Sequence, residues 1–181
     1  MPVAPRLSLI GYRACGKTTV GRLVAARLGV PFVDADRALE ERLGEPIATW
    51  FPRQGEAAFR DEEAATLAGI LAAPGPLVLS TGGGAILRAG NRDLLRAQGG
   101  VVVWLEAPAE VLSARLNRSH GDRPSLTGLP IAAEVPRLLA ERTPFYQATA
   151  HHRIDATRAP AALVDEVVAL LGAPVSTPAG P

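Results

Sequence analysis

Apolar runs alternate with amphipathic stretches along the whole chain. Leu7-Ser8-Leu9-Ile10 reads as a short buried strand, followed by a glycine-bounded loop. From Lys17 the spacing changes: Val20, Leu23, Val24 and Leu28 recur on one helical face, and Gly29 marks a stop. Pro31-Phe32-Val33 predicts a second strand that ends at Asp34-Ala35-Asp36. Helical segments are predicted over 37–43, 47–51 and 56–71. Leu77-Val78-Leu79 is a third strand running into Gly82-Gly83-Gly84, and residues 101–105 are a fourth. Pro108 suits the first turn of the helix after it. Residues 119–130 hold Gly, Asp, Pro and Ser and read as a mobile loop. A helix over 131–146 places Val135, Leu138, Leu139 and Arg142 on adjoining faces. Arg153-Ile154-Asp155 is a last strand and residues 161–171 a closing helix. The proline-rich tail, 173–181, is expected to be disordered.

Unbroken apolar strands alternating with helices predict an α/β fold, a five-stranded parallel sheet with helices on both faces. Right-handed crossovers make it doubly wound, with ligands at the carboxyl ends of the strands. At 181 residues the chain predicts a single domain, 1–172, followed by the tail. Residues 64–87 carry no charge, but Pro74-Gly75-Pro76 divides them. They read as a helix end, a turn and a buried strand rather than a membrane span. No signal-peptide core is visible near the start.

Charge narrows the function. Basic and acidic residues number 19 and 18, a balance that argues against a nucleic-acid coat or a polybasic membrane anchor. One cysteine excludes an internal disulfide, and the expectation is a cytoplasmic monomer. His120, His151 and His152 stand at no familiar ligand spacing and read as surface or strand-edge residues. Of the basic residues all but one are arginine, and the lysine is Lys17.

That lysine lies in Gly11-Tyr12-Arg13-Ala14-Cys15-Gly16-Lys17-Thr18, a full match to G-x-x-x-x-G-K-[ST] between a predicted strand and a predicted helix. Backbone N–H groups at the helix start receive a phosphate. Lys17 reaches the β- and γ-phosphates, and Thr18 can ligate Mg²⁺. The loop binds a nucleoside triphosphate. Cys15 is either a thiol of lowered pKa or a small residue in a tight loop.

Asp34 and Asp36 flank one residue, so in an extended strand both side chains leave on the same side. One could hold magnesium through water and the other engage an acceptor hydroxyl. A helix N-cap followed by a first-turn acid fits the spacing equally well. Arg60 follows Glu56 by four residues, the spacing of an ordinary surface ion pair. Gly82, Gly83 and Gly84 expose backbone N–H groups and let a ligand approach closely. Arg123-Pro124 lies where an arginine could close over phosphates, and Arg142 could clamp an anionic acceptor.

The series of phosphate loop, Asp-Ala-Asp, Gly55-Glu56-Ala57-Ala58-Phe59-Arg60, Thr81-Gly82-Gly83-Gly84, Arg123-Pro124 and Arg142-Thr143-Pro144-Phe145-Tyr146 resembles the shikimate kinases, from about residue 7 to 171. The resemblance implies a P-loop kinase that moves the γ-phosphoryl of ATP to the 3-hydroxyl of shikimate, on the way to chorismate and aromatic amino acids. It implies ATP contacts at Gly11, Ala14, Cys15, Gly16, Lys17, Thr18, Thr19, Arg115, Arg123, Arg158 and Pro160. Lys17, Asp36 and Arg123 would serve catalysis, and Thr18 with Asp34 (through water) would hold Mg²⁺. Shikimate would lie on Asp36, Arg60, Gly82, Gly83, Gly84 and Arg142. Glu63 would orient the arginines, Phe51 and Phe59 would wall the pocket, and a lid would span about 117–130.

Two positions depart from that family's pattern. Ala14 stands where it usually has glycine, which a methyl tolerates if φ is negative. The lid is acidic beside its arginine, at Asp122. The rival readings are a gluconate or nucleoside-monophosphate kinase, a GTP-dependent switch, and an inactive nucleotide-binding relative. No Asn-Lys-x-Asp stretch exists to read guanine, because the single lysine is in the phosphate loop.

Overall fold

The computed structural model describes residues 5–118 and 127–172. Five parallel strands, β1 (Arg6–Ile10), β2 (Phe32–Asp34), β3 (Leu77–Ser80), β4 (Val101–Glu106) and β5 (His152–Asp155), pair in the order β2-β3-β1-β4-β5. Seven helices accompany them among the described residues: α1 (Lys17–Leu28), α2 (Ala35–Leu43), α3 (Ile47–Ala72), α4 (Ala89–Gln98), α5 (Ala109–Arg118), α6 (Ile131–Thr149) and α7 (Pro160–Leu171). Among the described residues no helix is long and apolar enough to cross a membrane.

The strands are apolar without a break because both faces of the sheet are covered. Leu7, Leu9, Val101, Val103 and Leu105 enter a core with Val20 and Val24 of α1 and Leu163, Val164 and Val167 of α7. Ile10, Val102 and Trp104 enter the opposite core with Leu67 and Leu71 of α3, Leu95 of α4 and Tyr146 of α6. This alternation is the pleat acting on a sheet buried on both sides. Arg6 closes the end opposite the phosphate loop, donating to the carbonyls of Leu71, Ala73, Gly75 and Gln98 at 2.7–3.1 Å.

Several boundaries differ from the sequence expectation. Strand β2 ends at Asp34, and Asp36 sits in the first turn of α2. The two carboxylates therefore do not leave one extended strand, because the backbone has already turned helical. The helical stretches expected over 47–51 and 56–71 run together as α3, broken at Gly55, whose φ of 82° and ψ of 172° no α-helix contains. The unforeseen α4 follows a 3₁₀ turn at Ala85–Leu87. The tail and most of the expected lid, residues 173–181 and 119–126, lie outside the described residues.

Candidate functional site

The phosphate loop leaves β1, the central strand, and turns directly into α1. Gly11 at φ 143° packs where a Cβ would lie 2.6 Å from the Leu105 carbonyl oxygen, which excludes a side chain. Lys17 is buried and folds back on its own loop, with Nζ donating to the Gly11 carbonyl at 2.8 Å and the Tyr12 carbonyl at 3.0 Å. Cys15 Sγ is 3.7 Å from the same ammonium and is buried too. Ala14 has φ 64°. The condition of a negative φ, under which a methyl is tolerated, is not met there: the loop keeps the left-handed turn that suits glycine, with alanine in it.

A cleft of about 400 Å³ opens at this loop. Ala14, Cys15 and Gly16 line it from the loop, Lys17, Thr18 and Thr19 from the start of α1, and Arg115, Arg158 and Pro160 line it as well. Arg115 also ties the loop down, donating to Ala14 and Cys15 carbonyls at 3.4 Å and to the Ala156 carbonyl at 2.8 Å. Arg158 pairs with Glu166.

Asp34 and Asp36 reach the same cleft from its other wall. Asp34 is the helix N-cap that its spacing allowed, and it also faces Thr18. Its Oδ1 accepts the Asp36 backbone N–H at 3.1 Å as the α2 N-cap, and its Oδ2 accepts the Thr18 hydroxyl at 2.8 Å. A hydroxyl and a carboxylate side by side at a phosphate loop are the hard oxygen donors that Mg²⁺ takes, so the residues fit that ion. Asp36 opens onto the cleft, yet protein crowds it on most sides. That burial, then Asp34 and more weakly Glu63 and Glu40, push its carboxyl up to about 6 against the pull of Lys17.

Beyond Asp36 lies the glycine run. A Cβ on Gly82 would sit 2.7 Å from Glu63 Oε1 and 2.8 Å from Asp36 Oδ1, and one on Gly84 would sit 2.6 Å from Arg60 Nη1. The run is glycine because three functional side chains press against it. Arg60 donates to Glu63 Oε2 at 2.7 Å and lies 5.0 Å from the Phe59 ring. It also meets Glu56 at 3.4 Å, so the expected surface pair exists beside the buried one. Phe51 meets Phe59 edge-on at 5.2 Å.

Arg142 is 6% exposed and, among the described residues, makes no ion pair. Its Nη1 donates to the Gly83 carbonyl at 3.4 Å, and its guanidinium lies 5.4 Å from the Tyr12 ring. Glu63 thus orients Arg60 but has no recorded bond to Arg142, which the glycine run and Tyr12 hold instead. A buried cation without a counter-charge is costly, and an anion beside it would relieve that cost. Arg123 lies outside the described residues, as does His120. His151 accepts the Val102 N–H at 3.0 Å at the sheet edge. Sequence reasoning passed over Tyr12, Tyr146 and Glu134, each buried against this site. Only Tyr146 carried a signal, as the last residue of the Arg-x-Pro-x-Tyr stretch.

The profile of the family described as Shikimate kinase matches residues 13–172. The chain belongs to the shikimate kinase family. It is 48% identical over 168 residues to the shikimate kinase of Nitratidesulfovibrio vulgaris strain Hildenborough, covering 92% of this chain and 95% of that one. The structure of shikimate kinase from Acinetobacter baumannii in complex with shikimate matches with a TM-score of 0.86 at 37% identity, over 93% of both chains. A gluconokinase from Sinorhizobium meliloti 1021 matches with a TM-score of 0.65 at 22% identity, over 94% of this chain and 93% of that one, which shows a shared fold alone. As a shikimate kinase the chain is an ATP-dependent phosphotransferase of the shikimate pathway.

Proposed function

We propose that this chain transfers the γ-phosphoryl group of ATP to the 3-hydroxyl of shikimate within the cleft between Lys17 and Arg142. The observation that carries the reading is Asp36, which lines the phosphate-loop cleft and packs on the glycine run that Arg60 and Arg142 also touch. The triphosphate lies along Ala14–Thr19, with adenine near Arg115, Arg158 and Pro160. The shikimate carboxylate pairs with Arg60 and Arg142, and its ring lies against Gly82–Gly84 with Phe51 and Phe59 behind.

Asp36 accepts the proton of the 3-hydroxyl as that oxygen bonds to the γ-phosphorus. The bond to the β–γ bridging oxygen breaks and ADP leaves. Little covalent work falls to the protein, so catalysis is positioning and charge neutralisation. Lys17 releases the Gly11 and Tyr12 carbonyls and follows the migrating charge. Thr18, and Asp34 through water, would hold Mg²⁺, which neutralises phosphate charge when bound. By family resemblance, Arg123 adds a second cation from the lid. The surroundings we infer are the cytoplasm, with the chain as a monomer.

The test is ADP release from purified protein with ATP, Mg²⁺ and shikimate, against gluconate and a panel of nucleoside monophosphates. Shikimate-dependent turnover that Lys17→Ala abolishes is the expected result. Turnover with another acceptor would overturn the substrate, and ATP binding without turnover would indicate an inactive relative.

A further inference from the structure

Glu134 lies in the first turn of α6 and its side chain is fully buried, an unusual place for a carboxylate. Its Oε1 pairs with Arg13 of the phosphate loop. Its Oε2 accepts both the Thr127 backbone N–H at 2.8 Å and the Thr127 hydroxyl at 2.9 Å. One carboxylate thus joins the nucleotide loop, the segment entering α6 and α6 itself. Two helical turns further along α6 stands Arg142.

The path closes into a ring. Arg142 lies 5.4 Å from the ring of Tyr12, and Arg13 lies 6.0 Å from the same ring. Tyr12 is therefore shared by two guanidinium groups, and Arg13 of the pair lines the cleft. Glu134 neutralises Arg13, while Arg142 has no ion pair among the described residues. Removing that carboxylate would break the link between the phosphate loop and α6 and raise the net positive charge beside Tyr12. Burial of a charged pair is costly unless geometry and further hydrogen bonds offset it. Here the further hydrogen bonds come from Thr127, outside both cores.

We propose that Glu134 is a positioning residue that couples nucleotide binding to shikimate binding, tethering Arg13 of the phosphate loop and Thr127 to the helix that carries Arg142. A nucleotide that fixes the loop also fixes Arg13, and through Glu134 sets where α6 presents Arg142. The inference rests on the reading that nucleotide and shikimate occupy the two ends of this cleft.

The experiment is calorimetric titration of shikimate with and without Mg²⁺ and ADP, on the parent protein, Glu134→Gln and Arg13→Gln. In the parent, nucleotide should tighten shikimate binding by about fivefold or more, the usual floor for coupled sites. In Glu134→Gln that ratio should fall to about one, while shikimate affinity without nucleotide changes less than threefold, roughly. A merely structural glutamate would lower thermal stability and both affinities but leave the ratio intact. If Glu134→Gln does not fold, Arg13→Gln reads the same link from the other end and should lose the ratio too. A preserved ratio in the folded variants, or a parent ratio of one, would overturn the proposal. No shikimate binding by the parent would overturn the substrate reading and the coupling with it.

Discussion

The Tyr146 hydroxyl donates to the Gly83 carbonyl at 2.6 Å. Burial pushes that phenol well above its usual pKa, so it stays a donor at any working pH. Tyr146 thus pins the glycine run to α6, one turn from Arg142, whose guanidinium shares the same carbonyl. Tyr146→Phe should strip that carbonyl of its shorter bond and cost about 1–2 kcal/mol of stability. With shikimate against the glycine run, as proposed above, KM for shikimate should rise while KM for ATP holds. Steady-state kinetics with each substrate varied in turn checks the split, and an equal rise in both would remove Tyr146 from the acceptor side.

Ala14 occupies a left-handed backbone position in the phosphate loop. A Cβ there collides with its own carbonyl, a strain of roughly 1–2 kcal/mol, part of which glycine would return as unfolded-chain entropy. Ala14→Gly should therefore stabilise the protein by ~1 kcal/mol, a rise in melting temperature of about 2–4 °C for a chain of this size. A thermal melt decides it. An unchanged or lower melting temperature would mean that the alanine methyl makes packing contacts that outweigh the strain.

The phosphate loop was legible because its demands are written in residue types: glycine where a Cβ would strike Leu105, then lysine and threonine opening the helix. The glycine run was legible for the same reason, though not that Asp36, Glu63 and Arg60 press on it. Other features depend on partners distant in sequence. Helix α4 has few apolar residues and contains Gly90, Asn91 and Asp93. Asn91 and Arg92 bond back to the carbonyls of Ala85, Ile86 and Leu87, which a periodicity cannot reveal. Glu134 carried no signal in the sequence, because its partner Arg13 is far away in the chain. The strand order was equally hidden, since β1 pairs with β3 and β4 rather than β2.

Arg60 depends on the absence of a side chain at Gly84. An added methyl would meet all of its guanidinium within 2.6–2.9 Å. The Gly84 backbone, at φ −102°, accepts alanine without strain, so the effect of Gly84→Ala would be on Arg60 alone. Displaced from Glu63, Arg60 should lose its aim at the acceptor carboxylate. Shikimate affinity should drop about tenfold, or ~1.4 kcal/mol, with nucleotide affinity unchanged. Calorimetry on both ligands would show this, and a matching loss for nucleotide would mean that the loop has moved instead.

Asp36 should make activity and stability respond oppositely to acid. Its carboxyl is pushed up to about 6, first by burial and then by Asp34. As the acceptor of the shikimate proton it must be ionised, so kcat/KM should fall tenfold per pH unit below about 6. Stability runs the other way. A carboxyl that holds its proton more tightly when folded than when unfolded stabilises the fold as pH drops from about 6 towards 4, and this contribution is lost as pH rises through 6. Asp36→Asn removes both effects. It should abolish most turnover while still binding nucleotide, and at pH 7 it should melt higher than the parent because the burial cost of the charge is gone, and with it the repulsion from Asp34, Glu63 and Glu40. That advantage should shrink as the pH approaches 4, where the parent carboxyl is itself protonated. Melts of both proteins across pH 4–8, beside the kcat/KM profile of the parent, test the two halves separately. Near-normal turnover in the variant would remove Asp36 as the proton acceptor, whereas an unchanging difference in melting temperature would return its pKa to the ordinary range.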